Sequence, residues 1–534
     1  MKTAKTTFSD KLMTVFHFVF FIVAGLITLS AVTLGLFFAP FFGEDGTEPN
    51  TPVLLGILRL LILLLFIGAV FLLFGVCLRF FTSDKLRRMD DGSFGTRLIF
   101  SAVGLILVVQ LLSAFFLRMY PISDVAWLEA YAEKIISDGS FSCLDSEYGE
   151  HYIVWFPNNI ATLLIYTLLY KLSYALTGTF SRVPILLFNT LCINAAVLLT
   201  VLTARRLFGM RKAAVTLVIC ALFAPYYTYT PYYYSDTFSI ALVAGAVYAF
   251  AAATQCPKRG KKLLLLILCG AMCCVGYKIK GSVLVLLAAL FIYSLLRYGI
   301  KRFIKIGGSV LLGFLIVYTS FTVAWKASGV ISKESAEKYE FPLTHWAMMG
   351  LGMNGQYSEA DFQYTKGFDG KDAKTEADIK VIGERIREYG PGGLAVHLWV
   401  KASWIYMDGS YNISHYLEHS VYDTPVHQII IKGGKLRYLF FAYSFAIQSF
   451  LLCMMTYSGF AAFRKRRYEL TAWLRIAVFG VFIFFSVWEA NARYLFNFTP
   501  VYILLATEGL DDFVSTANKR KAKKNGKALL EKNS

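Results

Sequence analysis

Thirteen apolar runs, each long enough to approach or complete a bilayer crossing, recur along the chain: 14–39, 53–78, 98–117, 160–177, 183–203, 213–229, 237–254, 263–279, 282–297, 306–327, 438–461, 474–488 and 494–509. The connections between them alternate in charge. GEDGTEPNTP, between the first two runs, is acidic and holds no Lys or Arg, whereas the next connection holds Arg79, Lys85, Arg87, Arg88 and Arg97. Positive connections stay inside, so the amino terminus and 79–97 are expected to be cytoplasmic. The third run then delivers Asp124 to the outer face.

The alternation fails once. The next basic connection, Arg205, Arg206, Arg211 and Lys212, should also be inside, yet three apolar runs separate it from 79–97. Three crossings cannot join two loops on one side, so one run must lie along the membrane. The run 160–177 interleaves Tyr166, Tyr170, Lys171 and Tyr174 with apolar residues, as interfacial helices do. The expectation is that it does not cross and that 118–182 forms one outer loop.

Beyond it the runs alternate regularly, and a polar segment, 329–435, falls outside; it is too long for a mere connector. The fold class that follows is an all-α polytopic membrane protein, a bundle of about 12 transmembrane helices with juxtamembrane helices on the outer face and both termini inside. Its parts are two amino-terminal helices and a cytoplasmic loop (1–97), a transmembrane module (98–328), the extracytoplasmic segment (329–435), carboxy-terminal helices (436–510) and a basic tail (511–534). Within 374–407, YGPGG marks a hinge between two helices, neither reading as a crossing.

Composition agrees: 57% of the 534 residues are hydrophobic and the mean hydropathy is +0.55. The first run, Met13–Pro40, is too long for a cleaved signal and is read as a span. A net charge of +18 would suggest nucleic acid in a soluble protein. Here the basic residues sit in short clusters between apolar runs, as topology signals and lipid contacts, so no nucleic-acid partner is expected. Of nine cysteines, only Cys143 falls in an outer loop and Cys273 and Cys274 are adjacent, which supports neither a disulfide framework nor a thiolate site.

The residues that could carry chemistry gather at the outer face. Asp124 heads the helix-prone stretch YPISDVAWLEAYAEK, with Glu129 a turn further on. Taken alone, Asp124 reads as a helix cap; with Asp236, Lys280, Glu489 and Arg493 at the same face, it reads as a candidate base. Lys278 and Lys280 run against the positive-inside bias. Snorkelling explains Lys278 as well as any function does, and Lys280, followed by Gly281, is the better candidate for a lipid-linked phosphate. In WEANARY, Glu489 and Arg493 are four apart and could pair on one helical face, with Trp488 and Tyr494 as interfacial aromatics. Six of seven histidines lie in outer segments; His345 is retained as a supporting residue, and surface or core positions outweigh a zinc site.

These motifs, in order, carry a resemblance. A span ending in an outer-loop Asp is followed by WFPNN and an interfacial helix, then SRVP, ARRLFG, APYYTYTPYYYSD, a Lys-Gly and a late Glu…Arg-Tyr. The sequence resembles the GT-C superfamily of integral membrane glycosyltransferases over roughly 98–300 and 474–510. Its relatives include protein O-mannosyltransferases and the aminoarabinose transferases of lipid A. The stretch 341–412 is similar to Gram-positive members associated with cell-wall polysaccharides.

The resemblance implies a polyprenyl-phosphate-linked sugar donor and an envelope glycopolymer or lipid acceptor on the outer face of the cell membrane. It also implies Asp124 as general base or metal ligand and Asp236 as the acid beyond the third span of the module; the residues themselves put Lys280, Arg493 and Lys278 toward the donor phosphate. Glu489, Glu129, Tyr494 and His345 would support them. Trp155 and Phe156 stand where aminoarabinose transferases carry Glu-Lys, so that lysine and that zinc ligand are missing; a divalent cation, Mg or Mn, on Asp124 and Asp236 stays open.

Transfer of a hexose from that donor is the leading reading. A transporter or flippase of lipid-linked sugars is the alternative, and it predicts charges near the bilayer midplane. A polysaccharide polymerase or ligase comes third, and a scaffold gives no reason for the outer-face Lys and acids.

Overall fold

A computed structural model describes residues 8–42, 51–83, 86, 92–466 and 469–532. The acidic connection at 43–50 and Lys85, Arg87, Arg88 and Arg467 lie outside the described residues. The apolar runs become helices: α1 (Phe8–Phe37), α2 (Val53–Thr82), α3 (Gly92–Phe116), α4 (Ser123–Asp138), α5 (Ile160–Thr177), α6 (Val183–Phe208), α7 (Met210–Leu222), α8 (Ser235–Gln255), α9 (Arg259–Ile279), α10 (Leu284–Ser328), α11 (Lys333–Tyr339), α12 (Leu343–Gly350), α13 (Lys371–Met407), α14 (Arg437–Lys465), α15 (Thr471–Val487) and α16 (Thr499–Lys532). Short turns of helix fill most of the connections. Among the described residues there is no strand, only one antiparallel bridge, Met119 with Ser420, which ties the segment 118–182 to the long segment 329–435. The protein is an all-α, multi-pass membrane protein.

Two runs read as separate spans, 282–297 and 306–327, form the single element α10, broken where Gly299 adopts φ 69°. A side chain would be strained there; glycine is not, so the chain reverses without an intervening loop. The second arm returns beside α9, close enough that a methyl group on Gly270 or Gly313 would strike the facing carbonyl oxygen of Val310 or Ile267. The hinge expected at YGPGG is a bend of α13 at Gly390, φ 57°.

The run 160–177 is apolar and long enough to cross. The helices on either side of its segment fix where that segment begins and ends. Asn194 of α6 donates to Gln110 of α3 (2.9 Å), and Arg205 of α6 donates to Thr96 of α3 (2.8 Å). Rising numbers on one helix meet falling numbers on the other, so α3 and α6 are antiparallel. Phe116 and Val183 therefore sit at the same end, and everything between begins and finishes there. The twelve expected passes correspond to α1, α2, α3, α6, α7, α8, α9, the two arms of α10, α14, α15 and the first part of α16. The end that carries 118–182 also carries 329–435, and is called the mouth below.

Candidate active site

Asp236 sits in the first turn of α8, a position where the exposed backbone amides favour a carboxylate, and is fully buried. A carboxylate out of water needs partners, and two cations supply them. Lys280, on the turn between α9 and α10, places Nζ 2.7 Å from Oδ1. Arg493 places Nε 3.1 Å from Oδ2. It sits on the 3₁₀ turn Ala492–Phe498, which Asn491 caps by accepting from the Arg493 backbone N–H (3.0 Å).

Tyrosines enclose the cations. The Arg493 guanidinium lies 5.2–5.5 Å from the ring centroids of Tyr232, Tyr234, Tyr416 and Tyr494, and donates to the hydroxyls of Tyr416 (2.9 Å) and Tyr232. Lys280 Nζ stands 3.9 Å from the Tyr494 centroid, and Tyr494 in turn donates to Glu489 (3.0 Å). Ring faces and hydroxyl oxygens thus replace much of the water both cations have given up. Of the two, Lys280 keeps more contact with solvent, 16% exposed against 8% for Arg493.

Asp124 faces the same cage from α4. Its Oδ1 accepts from Tyr152 (2.7 Å) and its Oδ2 from Tyr234 (3.0 Å). Asn159 closes a ring by donating to the Tyr152 hydroxyl (2.8 Å), while its carbonyl oxygen lies 3.0 Å from the Tyr234 hydroxyl. Tyr234 has one proton for two acceptors, so Oδ2 of Asp124 receives only a shared bond. The carboxylate is half-buried, and the residue before it, Ser123, holds φ 51°, a left-handed conformation that serine adopts only under constraint. No backbone amide of α4 is capped by a side chain, so the helix-cap role is overturned: the carboxylate is aimed at the tyrosines.

The long outer segment clamps this arrangement. Trp346 stacks on Trp488 at 5.8 Å, Glu489 N–H donates to the Trp346 carbonyl (2.8 Å), and Ala490 N–H to that of Gly355 (2.8 Å). Lys401 of α13 is buried and donates to the carbonyls of Gly350 (2.8 Å) and Trp488 (2.6 Å), tying the end of α12 to the end of α15. Burial pushes the Lys401 ammonium down to about 8, Glu489 acting in the opposite sense.

The sequence-predicted residues are partly brought together. Asp236, Lys280, Arg493, Tyr494 and Glu489 form one cluster, and Asp124 joins it through Tyr234. Asp236, expected at the outer surface as a second catalytic acid, is instead buried beneath two cations. Glu489 and Arg493 do not share a helical face: 488–491 is not helical, and they turn to Tyr494 and Asp236 respectively. Glu129 is engaged elsewhere, held at both oxygens by Arg182 (2.9–3.1 Å) and by the Tyr233 hydroxyl. Lys278 lies apart from the cluster, over the rings of Tyr318 (4.3 Å) and Phe321 (4.8 Å). His345 is buried in the outer segment, bonded through Nδ1 to Thr365 (2.8 Å), and burial lowers its pKa to about 4. Cys143, expected to be exposed, is buried, and all nine cysteines are unpaired.

Tyr152, Asn159, Tyr232, Tyr234 and Tyr416 were not singled out. The first four lie within or beside WFPNN and YYYSD, whose density of tyrosine ahead of an acid was the available signal. Tyr416 lies far along the outer segment and carried none. The residues present do not fit a divalent cation on Asp124 and Asp236. Both Asp236 oxygens face cations, and among the described residues no three His, Cys, Asp or Glu side chains converge.

A protein-family model described as “Conserved hypothetical integral membrane protein” matches residues 6–513. No curated protein sequence matches the chain. Among solved structures, it is similar to the archaeal oligosaccharyltransferase AglB from Archaeoglobus fulgidus in complex with an inhibitory peptide and a dolichol-phosphate. That match has TM-score 0.41 and 11% identity, and covers 79% of this chain and 52% of that one. The chain thus spans about half the length of AglB. It is also similar to ArnT from Cupriavidus metallidurans bound to undecaprenyl phosphate, with TM-score 0.35, 14% identity and 78% of each chain covered.

Proposed function

The chain belongs to the family described as conserved hypothetical integral membrane protein, and from that membrane setting we propose that it is a polyprenyl-phosphate-sugar-dependent glycosyltransferase. It moves a hexose to an envelope glycopolymer or lipid on the outer face of the cell membrane, with both termini cytoplasmic. The observation that carries this reading is the juxtaposition at the mouth of a half-buried carboxylate, Asp124, with a cation pair, Lys280 and Arg493, held by a buried acid.

In the proposed reaction the acceptor hydroxyl oxygen bonds to the anomeric carbon as the bond from that carbon to the phosphate oxygen breaks. The hydroxyl proton passes to Asp124, on the lightly bonded Oδ2. The electron pair of the breaking bond goes to the phosphate, whose growing charge faces Lys280 first and Arg493 behind it. Attack from the side opposite the phosphate inverts the anomeric centre. Asp236 is a positioning residue that sets the two cations. Magnesium or manganese is given no step.

The test is purified protein supplied with a panel of undecaprenyl-phosphate sugars and scored for release of the lipid phosphate. Asp124→Asn keeps shape and hydrogen bonding but cannot take the proton, so turnover should fall by about two to four orders of magnitude with donor binding retained. Transfer at the parent rate by Asp124→Asn would end the assignment of the base.

Transport is not favoured. A further buried ion pair, Arg475 with Glu508 (2.7 Å), lies one turn into α15, beside Lys465–Asp512 (2.7 Å) at the end opposite the mouth. That placement locks helix ends together rather than setting the pair at mid-depth on a substrate path.

A further inference from the structure

Apart from the Asp124 cage, the outer segments enclose a cleft of about 380 Å3, within the range of roughly 300–1,000 Å3 typical of small-molecule sites. We infer that this cleft is a saccharide-binding site that receives one or two neutral hexose units of the acceptor glycan. The word acceptor rests on the transferase reading; the binding of sugar does not.

Its lining is part charged and part aromatic, the aromatic part being Trp155, Phe368 and Tyr339, with His151 stacked against Tyr339 at 4.0 Å and 14°. Flat apolar faces suit the C–H faces of a sugar ring, and the polar rim suits its hydroxyls. The charges on that rim sum to zero, Glu147, Glu150 and Asp369 against Lys338, Lys366 and Lys374. Lys366 lies 2.9 Å from Glu150 and 4.5 Å from the Trp155 ring. Lys374 is buried and donates to the backbone carbonyls of Lys338 (2.8 Å) and Tyr339 (2.9 Å). A rim with no net charge, two of its three lysines already engaged, gives an anion little net attraction, which points to a neutral, hydroxyl-rich ligand rather than to a phosphate.

The backbone is shaped to this end. Gly149, Glu150 and His151 hold φ of 59°, 52° and 65°, three successive residues in the left-handed region, two of them with side chains that disfavour it. Such strain persists only where the surroundings fix it, and it gathers at ligand sites. The turn that follows, Tyr152–Trp155, serves both places: Tyr152 donates to Asp124, while His151 and Trp155, on either side, line the cleft. A glycan seated there would lead its chain toward the base.

The test uses the full chain in lipid nanodiscs, carrying Asp124→Asn so that turnover plays no part. Saturation-transfer NMR is recorded with maltose, cellobiose and N,N′-diacetylchitobiose as probes. Saturable binding of at least one is expected, weakened tenfold or more by Tyr339→Ala and kept within twofold by Tyr339→Phe. Phe368→Ala serves as a second variant, and elution volume checks that each is folded. No saturable binding by any of the three, equal binding by folded Tyr339→Ala and Phe368→Ala, or displacement by undecaprenyl phosphate would overturn the inference. Sugar binding with no transfer from any donor by the parent chain, carrying Asp124, sinks the transferase reading and leaves the cleft. Transfer with binding indifferent to Tyr339 and Phe368 sinks the cleft and leaves the transferase.

Discussion

Lys280 is bound to an acid as well as offered to a ligand, and the two roles separate in a double-mutant cycle with Asp236. At 2.7 Å and an effective dielectric of about 20, the gross Lys280–Asp236 attraction is about 6 kcal/mol; the Arg493–Asp236 contact at 3.1 Å gives about 5 kcal/mol. Most of this is offset by desolvation. Removing one partner of a buried pair nevertheless costs about 3–5 kcal/mol, because the other charge is left uncompensated. Arg493 stays in place, so Lys280→Met should fall near the lower figure, about 3 kcal/mol. Asp236→Asn, which leaves two cations facing each other, should cost about the same. The double variant removes both charges and should lose about 3 kcal/mol rather than about 6, a coupling of about 3 kcal/mol. The assay is denaturant unfolding in micelles, followed by the near-ultraviolet signal of the eight tryptophans. A double variant whose loss equals the sum of the single losses, within about 0.5 kcal/mol, would refute the counter-ion role of Asp236.

In a cysteine-free background, cysteines placed at Glu147 and Gly178, both exposed and on either side of α5, should react with an impermeant maleimide from the same side of the membrane; labelling from opposite sides would make α5 a crossing. Lys278→Ala should change donor KM by less than about twofold, since its ammonium rests on Tyr318 and Phe321; a loss matching that of Lys280→Ala would return Lys278 to the phosphate site. His345, neutral in its buried seat, has a folded pKa of about 4 against 6.5 for the free group. Its depressed value means that stability is full above pH 6.5 and is lost as pH falls toward 4, by about 3 kcal/mol over that window. His345→Gln should remove that share of the acid sensitivity in a thermal scan, and an unchanged pH profile would show that the ring is not desolvated.

The helices were legible because each apolar run is long and bounded by charge, and the antiparallel course of α3 and α6, which brings both ends of 118–182 to one side, followed from the parity of two basic connections. The break at Gly299 was less visible: the basic stretch there reads as a loop, whereas one glycine reverses the chain inside a single element. At the site, the charged residues stood out since each is anomalous in an apolar neighbourhood. Their pairing did not. Glu489 and Arg493 share helical spacing, but the outer segment pulls 488–491 out of helix by backbone bonds from Trp346 and Gly355. A contact between parts of the chain more than 130 residues apart leaves no trace in local periodicity. For the same reason Glu129 looked like the partner of Asp124 on one helix, while its real partner, Arg182, lies 53 residues away beyond a helix.

Under the proposed reaction, the buried acid explains how the cations can serve a phosphate whose charge changes. A sugar-linked phosphodiester carries about one negative charge, and the released lipid phosphate carries more. A site with two bare cations would bind both states strongly and would have to order its long side chains around each. Asp236 offsets one of the two charges and fixes both side chains, so the field of the cations is held at a set position. Such a field favours the state in which negative charge has grown, and it is in place before the bond breaks, which is the condition under which electrostatic stabilisation lowers a barrier rather than merely tightening binding. The tyrosine cage supports the same end, since ring faces and the hydroxyls of Tyr232 and Tyr416 hold Arg493 in place.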